Sequence, residues 1–556
     1  MPASSDSSVA VLLCDDLEKV FPDRRPRELD PSIPLIGYRG ERTAFQVAIR
    51  AGRRSAWDNL RSAAVSVRAP EGVRARVRAV DLVPVSLPAP PDAGPEYLRT
   101  APGLFPDLLR PLGPQEPLGL PTGQWQAAWV DLEIAADAVG GDVAVQVEIA
   151  VADAETALRE VPLRIVAETL PPLDVVNTHW FHSDGLISYY DLEPFSERYW
   201  EVHRRFLRSA AAMSVTSVLT PIWTPPLDTR VGGTRIPTQL LAIHDDGEGT
   251  YRFEAEHLLR WLSICREVGL RHIEVPHLFT QWGARATPAI HVHTPSGIEQ
   301  RFGWDVPATD PSYRRLLEQM LPFLISLLEE EWGLDRVIFH LSDEPGEEHL
   351  ESYSAARAVV ADLLADVTVV DALSSYEFFQ RGLVDVPVAA TDHARPFLDG
   401  GVDPLWLYYC VSQHRGVANR FIAQSSTHNR VLGHQLFLAG AQGFLHWGFN
   451  FYNSQFSTRP IDPFLDTSAG GGFFGGDSFM VYPGRDGEPL TSIRYEVFRD
   501  AMTDHRAARL LERRSGTEAV RALLRADGFD ELEVSPRLDP DELRRIAVRV
   551  AAALVG

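Results

Sequence analysis

The chain has 556 residues, 45% hydrophobic and 23% charged, the profile of a soluble globular protein too long for one core, so two or three domains are expected. Its formal net charge of -23, with no Lys/Arg-rich block, argues against nucleic acid or an anionic membrane as partner and favours a small neutral or cationic substrate. Cys14, Cys265 and Cys410 lie too far apart for metal-ligand spacing or a disulfide framework, the first eight residues carry no basic region, and no apolar run is long enough to span a bilayer, so a reducing, cytoplasmic setting is expected.

From about residue 9 to about residue 170 short runs alternate polar and apolar residues, as at 124–132 and 142–149, with turns rich in Gly, Pro and Asp between them. This predicts an antiparallel β-sandwich over 1–172. After Pro171 and Pro172 the texture changes. Apolar runs at 176–181, 215–220, 272–276, 337–341, 367–372, 386–390, 405–410 and 443–447 alternate with helical patterns, for example at 196–213, 257–268, 311–330, 348–364 and 429–441. About eight βα units close a (β/α)8 TIM-type barrel, placed at 173–513 with a helix at 493–511 as its last element. A doubly wound open sheet is the competing architecture, but the Gly-rich phosphate loop usual after its first strand is missing. The remaining 514–556 is a helical extension with amphipathic patterns at 516–526 and 539–554, either solvated or a surface for homo-oligomerisation.

The most informative segment is the fourth apolar run, which leads directly into Asp343 and Glu344 and then Pro345-Gly346. Pro-Gly cannot continue a buried strand, so both acids fall at its carboxyl end, the active-site end of such barrels. Adjacent carboxyls oppose each other's ionisation and tend to separate into a proton donor and an anion, which suits glycosidic bond hydrolysis. A simple turn, or a cap on the next helix, is the competing reading.

The other strand ends carry polar and aromatic residues suited to a saccharide: His182 and Asp184 after run one, Trp223 after run two, His277, Gln281 and Trp282 after run three, Asp392 after run six, and Tyr408, Tyr409, Trp447 and Asn450 near runs seven and eight. Trp180 reads as packing and His340 as a hydrogen-bonded core histidine. No metal is expected, because neither His179 with His182 nor His277 with Asp392 has a tight ligand spacing. No cofactor is expected either, and a Ser or Cys nucleophile has no Gly-x-Ser-x-Gly elbow to support it.

Four segments together resemble glycoside hydrolase family 123 and the broader group known as domain of unknown function 4091: 36–46, 340–345, 447–452, and 476–484 with 492–496. The resemblance implies a β-sandwich followed by a (β/α)8 barrel, and retaining exo-hydrolysis of β-linked N-acetylgalactosamine assisted by the substrate's own 2-acetamido group. It implies Glu344 as general acid and then base, with Asp343 orienting the acetamido group. The expected substrates are intracellular or imported oligosaccharides. A glycosidase for a β-linked sugar lacking the acetamido group, and a catalytically inactive carbohydrate-binding protein, are the alternatives.

Overall fold

The computed structural model describes residues 8–55, 57–113, 116–247 and 249–556. Residues 1–7, which entered the expectation of a cytoplasmic setting, lie outside them. Among the described residues no helix is long and apolar enough to cross a membrane. The chain divides into two compact units, one formed by Met1–Leu173, Arg415–Leu438 and Leu490–Gly556, the other by Asp174–His414 and Ala439–Pro489.

The first unit contains two five-stranded sheets. One runs in the order Val9–Asp15, Arg42–Ala51, Trp125–Ile134, Val73–Val85, Gly103–Pro111, all antiparallel. The other runs Leu35–Arg39, Ala157–Thr169, Gly141–Val151, Leu60–Arg68, Leu118–Pro121, with Leu35–Arg39 its single parallel partner. The predicted alternation places Phe45, Val47 and Ile49 of one sheet and Val145, Val147 and Ile149 of the other in one buried cluster, the core of a sandwich.

Helices Ile493–Ser515, Thr517–Leu524 and Pro540–Val555 complete this unit. The first begins where Ser492 accepts the Tyr495 N–H. Its Glu496 carboxylate lies 2.6 Å from Arg42 and 2.8 Å from Arg78, and Asp131 lies 3.0 and 2.7 Å from the same two guanidinium groups. Burial alone would raise the Glu496 carboxyl, but the two arginines hold it down to about 2. Segments 36–46 and 492–496 are thus joined by one buried ionic network.

The second unit is built on a closed eight-stranded barrel, every neighbouring pair parallel. Its strands are Val176–His179, Ser217–Leu219, His272–Glu274, Val337–Phe339, Thr368–Leu373, Val386–Ala390, Trp406–Tyr408 and Gly443–His446, each inside or nearly inside its predicted run. Inward residues such as Leu219, Ile338, Val370, Val388 and Leu445 fill the interior. Between strands two and three, and again between three and four, the chain adds hairpins that pair as a separate four-stranded sheet, Thr250–Glu254, Ala242–Gly247, Ile290–Thr294, Gly297–Phe302. The sequence reading did not anticipate this sheet. Its strands are only five or six residues long, Gly297–Phe302 is largely exposed, and the alternation in Thr250–Glu254 and Ile290–Thr294 is brief.

Candidate active site

Because all eight strands are parallel, their carboxyl ends share one rim, where a cavity of about 260 Å³ opens. Its acids are Asp228, Asp343 and Glu344, its aromatic walls include Trp180, Tyr408, Trp447 and Phe473, and Trp282 and Phe456 complete the aromatic lining. Gln281, Ser412 and Gln455 supply polar groups.

Strand four explains the position of the acid pair. Val337, Ile338 and Phe339 are buried, and the backbone N–H groups of Leu341 and Ser342 then donate to Asp371 Oδ1 of strand five at 2.9 and 3.3 Å. Tyr353 donates its hydroxyl to the other Asp371 oxygen, and Ser342 Oγ donates to the Thr280 carbonyl at 2.9 Å. Leashed in this way, the chain turns into the cavity with Glu344 at φ 44°, a backbone state uncommon for a residue with a side chain and frequent at functional sites.

The two carboxyls meet different surroundings. Glu344 Oε1 accepts from the Tyr408 hydroxyl at 2.7 Å and from the Cys410 thiol at 3.7 Å. Among the described residues, no group bonds the Asp343 carboxyl, which faces the cavity. Burial raises both pKa values. The neighbouring Glu344, Asp371 and Asp228 raise Asp343 further, whereas the Tyr408 and Cys410 bonds draw Glu344 back. Like charges thus press on Asp343, while hydrogen-bond donors steady the Glu344 carboxylate. Burial, with Glu344 and Asp477 nearby, pushes the Cys410 thiol well up, so it serves as a donor and not as a nucleophile.

Of the residues expected from sequence to bind substrate, Gln281, Trp282, Tyr408 and Trp447 line the cavity. Trp447 is oriented by a bond from Nε1 to Asp477 Oδ2 at 3.0 Å, and Gly448 beside it lets the chain pass where a Cβ would lie 2.6 Å from the Ser478 carbonyl. This contact links segments 447–452 and 476–484.

The other expected residues are elsewhere, each for a visible reason. Asp184 is buried against Arg235, with Nε–Oδ2 at 2.9 Å and Nη2–Oδ1 at 2.5 Å, and also accepts from Asn453. His182 joins the same brace, its Nδ1 3.0 Å from Arg235 Nη2 and its Nε2 2.8 Å from the Trp447 carbonyl. Asn450 Oδ1 accepts the His182 N–H, and Trp223 Nε1 donates to the His277 carbonyl. Tyr409 packs on Phe444 and His446, on the opposite side of its strand from Tyr408. Asp392 bonds Gln413 and His393 and does not line the cavity.

His277 is buried with its ring stacked on His340, and these two with Asp371 bring potential ligand atoms within 4.8 Å of one another. Asp371 already accepts from two backbone N–H groups and a tyrosine, and His340 Nε2 lies 2.9 Å from Glu274 Oε2, so these groups support the strand ends. Glu274 in turn receives Trp180 Nε1 at 3.0 Å, fixing the indole that sequence alone presents as packing but that forms a cavity wall.

Tyr408, expected from its place near the end of run seven, also lines the cavity, whereas Asp228, Ser412, Gln455, Phe456 and Phe473 are polar or aromatic lining residues that sequence reasoning did not select. Tyr408 had a readable signal, since period-two alternation places it on the same face as Trp406 and Cys410. Asp228 and Phe456 lie on loops and had none.

The family model described as the glycoside hydrolase 123 catalytic domain matches residues 180–511. Among solved structures, a family 123 glycoside hydrolase from Clostridium perfringens, described in connection with glycolipid glycan hydrolysis, is similar at 13% identity and TM-score 0.73, covering 98% of this chain and 97% of that one. A family 39 glycoside hydrolase from Bacteroides cellulosilyticus WH2 follows at 9% identity and TM-score 0.33, covering 85% and 82% of the two chains, too distant to inform the site. No curated protein matches the chain. The matched region exceeds half of the chain and contains the acid pair and every residue lining the cavity, and the chain belongs to glycoside hydrolase family 123.

Proposed function

We propose that this glycoside hydrolase is a retaining exo-β-N-acetylgalactosaminidase that uses the substrate's acetamido group as nucleophile. The observation that carries the reading is the asymmetry of the acid pair: Asp343 bare toward the cavity, Glu344 held by donors from strand seven. The acetamido oxygen attacks the anomeric carbon while Glu344 delivers its proton to the departing oxygen. Asp343 accepts the acetamido N–H and, as an anion, offsets the positive charge on the cyclic intermediate. Water, deprotonated by Glu344, then opens that intermediate, and the two inversions give retention.

Glu344 must carry the proton and Asp343 the charge for this step. An amide N–H donated to Asp343 stabilises its anion, so substrate binding drives the proton to Glu344. Tyr408 opposes that transfer by favouring the Glu344 anion. Tyr408→Phe is therefore expected to raise the Glu344 pKa and move the alkaline limb of the kcat/KM profile to higher pH, which a pH series on the parent and the variant checks.

A second reading has its own support. Asp228 also lines the cavity, its carboxyl raised by burial to about 6 and so anionic at neutral pH, and it is the residue available as a direct nucleophile for a sugar without an acetamido group. Hydrolysis of nitrophenyl β-glycosides separates the two. Release from the N-acetylgalactosaminide alone, or from both N-acetyl sugars, is the expected outcome, and release from galactoside or glucoside alone would transfer the nucleophile's role to Asp228.

A further inference from the structure

At about 260 Å³ the cavity lies at the small end of ligand pockets and accommodates one sugar unit, so whatever that unit is attached to must leave through the mouth. The cavity aromatics divide by depth. Trp180, Tyr408 and Phe473 are buried, whereas Trp282 and Phe456 are 38% and 37% exposed, with ring centroids 5.8 Å apart at 87°. Both lie at the rim in a backbone state that bulky residues rarely adopt, φ 57° and 60°.

Two sets of bonds hold them there. The Trp282 N–H donates to the Asp343 carbonyl at 2.9 Å, tying this ring to the acid pair. The Phe456 N–H donates to Asp228 Oδ2 at 3.0 Å, its carbonyl accepts the Arg230 N–H at 3.0 Å, and Ser457 Oγ donates to the Asp228 carbonyl at 2.7 Å. Gln281 Nε2 donates to the Thr229 carbonyl at 3.1 Å, joining the Trp282 loop to the 228–230 segment that holds Phe456. Loops that merely covered a core would turn these side chains inward. Strain maintained by converging bonds, with exposed aromatic faces as its result, is the signature of a surface built for a ligand.

Building on the function proposed above, we propose that Trp282 and Phe456 form the leaving-group subsite, a platform that receives a neutral sugar on the reducing side of the scissile bond. Aromatic rings pack against the C–H face of a pyranose, and Gln281, Gln455 and Ser412 around them offer hydrogen bonds to its hydroxyls. A neutral sugar suits this platform because its lining side chains carry no positive charge to receive an anion.

The test compares two substrates with the same non-reducing sugar, β-N-acetylgalactosaminyl galactose and the trifluoroethyl β-N-acetylgalactosaminide, whose small activated aglycone does not extend to the rings. Trp282→Ala and Phe456→Ala should each lower kcat/KM on the disaccharide by roughly ten-fold more than on the trifluoroethyl glycoside, mainly through KM, and Trp282→Phe should recover part of the loss. Equal losses on both substrates, or no loss on the disaccharide, would overturn the subsite while leaving the proposed function standing. A parent that turns over neither substrate would overturn both.

Discussion

Glu344→Gln is expected to lower kcat/KM on unactivated β-N-acetylgalactosaminides by roughly 10²–10⁴-fold, the usual contribution of a positioned general acid. The loss should shrink on substrates with activated leaving groups such as nitrophenol, which depart with little protonation. Asp343→Asn should cost about 10²–10³-fold irrespective of the leaving group, because it removes the charge that stabilises the cyclic intermediate and not the proton that releases the aglycone. The double variant should fall well short of the product of the two losses, since the carboxyls act on one transition state. Kinetics over a series of leaving groups checks this, and a Glu344→Gln deficit that ignored leaving-group acidity would remove it from the acid role.

Asp184→Ala is expected to destabilise the protein by about 3–5 kcal/mol, because it leaves the buried Arg235 guanidinium without its carboxylate. The two side chains are 7% and 3% exposed. Burial alone would raise the Asp184 carboxyl, and Arg235 beside it holds it below its ordinary value of 3.8. A carboxyl depressed by folding contributes stability above that ordinary value and loses it as pH falls through the lower folded one. The gap between parent and variant should thus stay full at neutral pH and narrow only in acid, below about pH 4. Urea unfolding across pH measures it. If Asp184→Ala unfolded like the parent and only KM rose, Asp184 would be a substrate ligand, the role its place after strand one suggests from sequence.

The contrast between Asp184 and Asp343 shows what was legible and why. Both are acids just beyond an apolar run, and only Asp343 belongs to the cavity. Arg235, which neutralises Asp184, lies on a loop 51 residues away with no local pattern to announce it. The hairpins at 242–302 went unread for another reason: their alternation, as in Tyr251-Arg252-Phe253 and Ile290-His291-Val292, is too short to stand out beside the longer buried runs.

By itself the sequence determined the eight buried runs, their parallel order and the chain break at Pro345-Gly346 that leaves Asp343 and Glu344 at a strand end, because apolar periodicity and backbone breakers are local properties. Tertiary structure alone decided which neighbours face the acids. Tyr408 faces in and Tyr409 out because closure of the barrel fixes the face each strand turns inward. Asp228 and Phe456 meet because two loops more than two hundred residues apart bond across the rim, with 228 positions separating the pair. The partner that sets each charge, and with it where the proton rests, comes from a distant strand or loop. Only the folded chain brings such partners within hydrogen-bonding distance.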